Sequence, residues 1–135
     1  MIQMRVIRID WRLVHANTID YWVRPLNLHG IVLCDSAVAA DPLKQIGYRM
    51  FCPSDFQLQI IPLDAVERTD WSGSLLLFRD IESLMRSGIT LNSGDILAIS
   101  PHQPLSEEGT LFLSEAACSG IHTTFDTVYQ AFESC

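Results

Sequence analysis

Lysine is almost absent from this chain. Lys44 is the only one in 135 residues, and with eight arginines it makes nine basic residues against sixteen acidic ones, a formal net charge of −7. Cations so few and so scattered exclude nucleic acid as a general partner, because neutralising a phosphate backbone takes clustered Lys and Arg. Long apolar runs are missing too: the longest are four or five residues, far below the ~20 that a membrane-spanning helix needs. Cys34, Cys52, Cys118 and Cys135 show no CxxC spacing and no secretory segment precedes them, so they are expected to be reduced thiols of a cytoplasmic protein. His15, His29, His102 and His122 stand apart, without the i, i+3 or i, i+4 pairs of helical zinc sites, and no metal site is expected. Repeats, low-complexity tracts and linkers are lacking as well. One domain over residues 1–135 is therefore expected, of a size that buries roughly two-thirds of the surface its unfolded chain exposes.

What the chain does contain is alternation. Strands are expected at Met4–Ile9, Gly30–Asp35, Phe56–Ile61, Ser74–Phe78 and Asp95–Ser100, mostly short continuous apolar runs of the kind buried on both faces. Between them lie helices. Ile19, Trp22 and Val23 share one face of a helix from Ala16 to Arg24 that Pro25 stops, and Asp41-Pro42 supplies a cap and a first helical residue for a helix to Met50. Leu63–Arg68 and Asp80–Arg86 complete the set, the second closed by Gly88. Such βαβ units with right-handed crossovers predict a single open, mainly parallel sheet with helices on both faces, a three-layer α/β/α domain. In the tail, Leu111–Leu113 is expected as a strand and Thr124 as the cap of a last helix through Phe125, Val128, Tyr129 and Phe132.

Chemistry concentrates where the first strand meets the first helix, in Arg8-Ile9-Asp10-Trp11-Arg12-Leu13-Val14-His15-Ala16-Asn17-Thr18. Open α/β sheets hold ligands at the carboxyl ends of their strands, and a helix start there offers free N–H groups and a positive dipole end to an anion. Asp10, Arg12 and His15 are the residue types that hold and exchange a phosphoryl group. Neutral imidazole is a competent nucleophile near pH 7, and a guanidinium neutralises phosphoryl oxygens. Asp10 either orients the ring or anchors Arg12. Other strand ends place Asp35, Phe78 and Arg79 near the same cleft, with capping of the following turn the commoner role for Asp35 and the core the ordinary place for Phe78, and Trp11 on the loop suits either a docking surface or packing against the first helix.

These residues resemble a family. Arg8-Ile9-Asp10-x-Arg12-Leu13-Val14-His15 is similar to the RIDxRLIH signature of enzyme IIB of the mannose/fructose/sorbose family of the bacterial sugar phosphotransferase system. The resemblance continues through Trp22-Val23, Leu26-Asn27, Ile31–Asp35, the Val38–Lys44 stretch and Ser74–Phe78, over about residues 2–100. It departs at Ala16-Asn17, where the family usually has Gly-Gln, and at Trp11, usually acidic. It departs again over Ser100–Gly109, which is acidic and contains proline where the family usually has a glycine-rich loop and a basic segment. The family's last strand is not evident.

The resemblance implies a phosphocarrier with His15 as nucleophile, Arg12 and Asp10 assisting, and the backbone N–H groups of Ala16 and Asn17 binding phosphoryl oxygens, a scheme that requires no metal or dissociable cofactor. Its partners would be enzyme IIA as donor and the membrane IIC and IID components with their sugar, the protein itself being cytoplasmic and peripheral to the transporter; a homodimer is also compatible. The alternative is a IIB-like regulatory or partner-binding paralogue with impaired transfer. A receiver-type signalling domain is disfavoured, since it needs a late lysine and none follows Lys44.

Overall fold

All five apolar runs become strands of one sheet. A computed structural model describes residues 4–127 and residue 129. In it β1 (Val6–Ile9), β2 (Gly30–Cys34), β3 (Gln57–Ile61), β4 (Ser74–Phe78), β5 (Ile96–Ile99) and β6 (His122–Thr124) pair in the order β3-β2-β4-β1-β5-β6. Every pairing is parallel. β2 and β5 are buried along their whole length, which is why they read as apolar runs; β1 is buried as completely but carries Arg8 among its apolar residues, and the edge strand β3 alternates.

Helical segments cover both faces, as expected for three layers. On one face lie α1 (Ala16–Thr18), which runs directly into a π-helical turn over Ile19–Val23, then α2 (Ser36–Ala39) and α3 (Pro42–Met50). Ile19, Trp22, Val23 and Val38 pack there against Val6, Leu33, Leu75 and Leu77. The 3-10 turn Leu63–Arg68, α4 (Ile81–Arg86) and α5 (Glu107–Cys118) cover the other, where Val66, Ile81, Leu84, Leu113 and Ala116 meet Ile7, Ile9, Phe78 and Leu97. Asp41 caps α3 as its sequence predicts, accepting from the N–H groups of Leu43 and Lys44 ahead of Pro42. The Asp80 carboxylate likewise accepts from the Ser83 N–H, so it caps α4 rather than forming its first turn.

Three expectations are corrected. Leu111–Leu113 is part of α5, not a strand: Ser106 caps that helix by accepting from the Gly109 N–H, Glu107 and Glu108 suit its positive N-terminal end, and Leu113 and Ala116 face the core. Thr124 ends β6 and caps no helix; residues 125–127 are irregular, and Val128 and Phe132 lie outside the described residues. The expected helices at Ala16–Arg24 and Leu63–Arg68 are mostly a π turn, with the Arg24 N–H donating to the Ile19 carbonyl, and a 3-10 turn.

The connection leaving β1 crosses one face toward β2, while those leaving β4 and β5 cross the other. The carboxyl ends of β1 and β4, which pair side by side, therefore open onto a crevice at the point where the winding reverses.

Sheet closure at the β2–β3 edge depends on Gly30, since a Cβ there would lie 1.8 Å from the Gln57 carbonyl oxygen. Gly30→Ala is expected to cost about 3 kcal/mol or more through overpacking against rigid backbone. Urea unfolding checks this, and an unchanged midpoint would contradict it.

Candidate active site

The β1 loop is built by its own backbone. The Asp10 N–H donates to the Phe78 carbonyl (3.0 Å), continuing the β1–β4 ladder by one residue, and the Leu13 N–H turns back onto the Asp10 carbonyl (3.0 Å). Asp10 Oδ1 accepts from the Arg12 N–H at 3.0 Å, which fixes the turn from inside. Leu13 has a φ of 60°, the left-handed region that costs a non-glycine residue about 1–3 kcal/mol. Complete burial of its side chain holds it there. The strand–turn–helix path then delivers His15 as the N-cap of α1, in extended conformation, its carbonyl accepting from the Thr18 and Ile19 N–H groups.

Asp10 itself is fully buried and surrounded by donors. His15 Nε2 lies 2.9 Å from Oδ2. Arg12 grips both oxygens, Nε on Oδ1 at 3.1 Å and Nη2 on Oδ2 at 3.0 Å. Arg8 approaches Oδ2 from β1 at 3.9 Å. Burial alone would push the Asp10 carboxyl up; the hydrogen bonds from His15, from the Arg12 guanidinium and from the Arg12 backbone outweigh it and hold the group well below the usual carboxylate range. Asp10 thus touches both the His15 ring and the Arg12 guanidinium. The His15 side chain keeps 18% of its surface and that of Arg12 38%, so the network is anchored inside and open to solvent at its working end. An ionised carboxylate only accepts, so in the 2.9 Å contact Nε2 is the donor, and Nδ1 is the ring nitrogen not bonded to Asp10.

Residues from neighbouring strand ends sort differently. Ala16 and Asn17 open α1, where N–H groups have no carbonyl one turn back. Asp35 caps α2 through the Val38 N–H (3.0 Å) and also takes Arg79 Nε at 2.9 Å, so Arg79 is already paired. Phe78 does not line the cleft: it has no exposed surface and packs in the core, because β4 lies between two covered strands. Trp11 is exposed, not folded onto the first helix, with the Arg12 guanidinium 5.2 Å from its ring. Beside it lies a cleft of about 730 Å³, also lined by Arg79, His102, Pro104 and Leu105; neither His15 nor Arg12 lines it. Among the described residues no group of three or more His, Cys, Asp or Glu could hold a metal ion, and no helix is long and apolar enough to cross a membrane.

Two contributors escaped the sequence reading. Arg8 was visible as a charge inside an apolar strand, two residues before Asp10 and hence on the same side of the sheet; a buried cation needs a partner, and that was the available signal. Gln103 gave no signal. Its amide ties the late loop to the site, Oε1 accepting from the Trp11 N–H and Nε2 donating to the Arg79 carbonyl, both at 2.9 Å.

Comparison with known proteins shows the family and the fold. The family described as "PTS system sorbose subfamily IIB component" matches residues 4–100. Among solved structures the chain is similar to manxB from Thermoanaerobacter tengcongensis, at 20% identity and a TM-score of 0.74, covering 96% of this chain and 91% of that one. The IIBSor domain of the sorbose permease from Klebsiella pneumoniae gives 18% identity, a TM-score of 0.74 and the same coverages. The N-acetylgalactosamine-specific IIB component 1 from Escherichia coli gives 16% and 0.72, covering 96% of this chain and 97% of that one. At such identities these likenesses show the fold. No curated protein sequence matches the chain.

Because the folded Asp10 carboxyl lies below its ordinary value of 3.8, the stability it contributes is complete above about pH 4 and is lost as the pH falls toward the folded value. Asp10→Asn is expected to cost about 3 kcal/mol at pH 7, by stranding buried Arg8. Parent and variant should converge on acidification below about pH 4. Urea midpoints at pH 7 and pH 3 check this; equal midpoints at pH 7 would contradict it.

Proposed function

The chain belongs to the sorbose subfamily of IIB components of the sugar phosphotransferase system, and from that membership and the geometry of the β1 loop we propose that it is a phosphohistidine carrier. His15 accepts a phosphoryl group from a phosphohistidine on a IIA component and gives it to a sugar held by membrane IIC and IID components. The observation that carries this reading is the His15 ring itself, partly open to solvent at a strand end with Nε2 fixed on the buried Asp10.

The chemistry follows from that one hydrogen bond. Nδ1 attacks phosphorus in line as the donor's P–N bond breaks, and the donor ring departs as neutral imidazole. The His15 ring becomes cationic while Nε2–H stays on Asp10, whose carboxylate stabilises the new charge, so no proton needs to move. Arg12 uses Nε and Nη2 on Asp10; Nη1 makes no hydrogen bond among the described residues and is free for a phosphoryl oxygen. The Ala16 and Asn17 N–H groups bind the remaining oxygens. Transfer to sugar is an in-line displacement by a sugar hydroxyl: the O–P bond forms as the P–Nδ1 bond breaks, His15 departs as neutral imidazole with Nε2–H still on Asp10, and the hydroxyl proton is given up to solvent.

Incubation with a phosphorylated IIA component of the same subfamily is expected to add one phosphoryl mass, acid-labile and base-stable, on His15. Imidazole 1H–15N spectra should place it on Nδ1. A His15→Ala variant that labels as well as the parent would end the proposal. Arg12→Lys should slow transfer on the order of a hundredfold with little change in melting temperature, because an ammonium cannot hold Asp10 bidentately and reach the phosphoryl group as well. Discharge in membranes carrying the transporter separates carrier from regulator: a phosphoprotein that never discharges is a regulator.

A further inference from the structure

Arg8 lies where a surface charge does not belong. It is on a central strand with 2% of its surface exposed. Nη1 donates to the Asp126 carbonyl at 2.8 Å, the guanidinium carbon stands 4.7 Å from the centre of the Trp22 ring, and Nε has no partner among the described residues. The chain following β6 straps this arrangement down. The Trp22 indole N–H donates to the Thr127 carbonyl (2.8 Å), the Tyr129 N–H donates to the Tyr21 carbonyl (3.0 Å), and the Tyr129 ring packs edge-on to Trp22 at 5.8 Å. Burial pulls Arg8 down to about 10, so it still carries its charge at neutral pH.

Asp10 creates a difficulty that such a charge resolves. A carboxylate bonded to an imidazole orients it, and also favours the imidazolium, which has no lone pair to attack with. A nucleophile held by a carboxylate therefore needs that carboxylate's field compensated. Arg12 supplies one compensating charge, exposed and engaged in the transfer itself. Arg8 supplies another that solvent does not screen and substrate does not reach.

Resting on the carrier reading above, we propose that Arg8 is a positioning residue: acting through Asp10, it is the buried counter-charge that keeps His15 a neutral nucleophile at physiological pH. The charged groups around the pair are few. Asp10 is faced by Arg8 from β1, by Arg12 from the turn and by His15 from the start of α1. Arg8 is faced in addition by Asp126 from the strap, whose carboxylate is engaged by the Thr124 hydroxyl.

The test reads His15 without requiring transfer. Imidazole 1H–15N spectra of the full chain are followed against pH in the parent, in Arg8→Gln, which keeps a donor for the Asp126 carbonyl, in Arg8→Met, and in Arg8→Lys. The inflection of the His15 resonances should move to higher pH by about one unit in either neutral variant and stay near the parental position in Arg8→Lys. Where the carrier reading holds, phosphoryl acceptance by the neutral variants should fall about tenfold at pH 7 and recover as the pH is raised. A folded neutral variant with the parental inflection would overturn the assignment. Loss of fold in both neutral variants would overturn it as well, by placing Arg8 among the purely structural residues. A parent that accepts no phosphoryl group would end the carrier reading and leave the inflection measurement intact, so the two failures are distinguishable.

Discussion

A single carboxylate taken out of water organises this molecule. Removing the Asp10 charge from solvent costs several kcal/mol unless it is paired and hydrogen-bonded, and the chain meets that demand with groups close by in sequence. Strand alternation puts Arg8, two residues back, on the same side of the sheet. A turn closed on Asp10 brings Arg12 round to both oxygens, and the start of α1 delivers His15. The left-handed Leu13 is what allows so short a segment to reverse and still present its imidazole inward. Loop shape, ring orientation and electrostatics are thus one problem with one solution, and removing any partner disturbs all three.

Sheet topology decides where that solution faces. β1 is central, flanked by β4 and β5, and its connection leaves over the opposite face from theirs. The residue after β1 can therefore be deeply buried while a residue five positions later is partly exposed, because the crevice begins where the helices part. Were β1 an edge strand, Asp10 would be hydrated and would bind its partners weakly.

Legibility in the sequence followed the same physics. Strands buried on both faces are largely apolar, so β1, β2, β4 and β5 announced themselves, Arg8 in β1 being the exception, and Asp41-Pro42 fixed the start of α3. α5 misled because Leu111-Phe112-Leu113 is contiguous and apolar; its real signal lay upstream, in the Ser106 cap and the two glutamates of the first turn. β6 is three residues, His122–Thr124, on the sheet edge beside β5, and only tertiary pairing makes it a strand. At the site, His15, Arg12 and Asp10 were legible from motif and chemistry, because local backbone brings them together. The strap over Arg8 and Trp22 was not, since its bonds come from main-chain carbonyls more than 100 positions away, which carry no residue-specific signal.

A carrier differs from an ordinary phosphate-binding site in having to release what it holds. Around His15 the cations Arg8 and Arg12 face Asp10, Arg8 is faced by Asp126 as well, and Arg79 is already matched by Asp35, so each of these cations has a carboxylate beside it. A pocket with several free cations would bind the phosphorylated state tightly and slow the onward step, because uniform stabilisation of a bound state adds nothing to the rate of leaving it. In the carrier reading, cations already matched by carboxylates, set in a chain whose net charge is −7, would hold phosphoryl oxygens locally without trapping them.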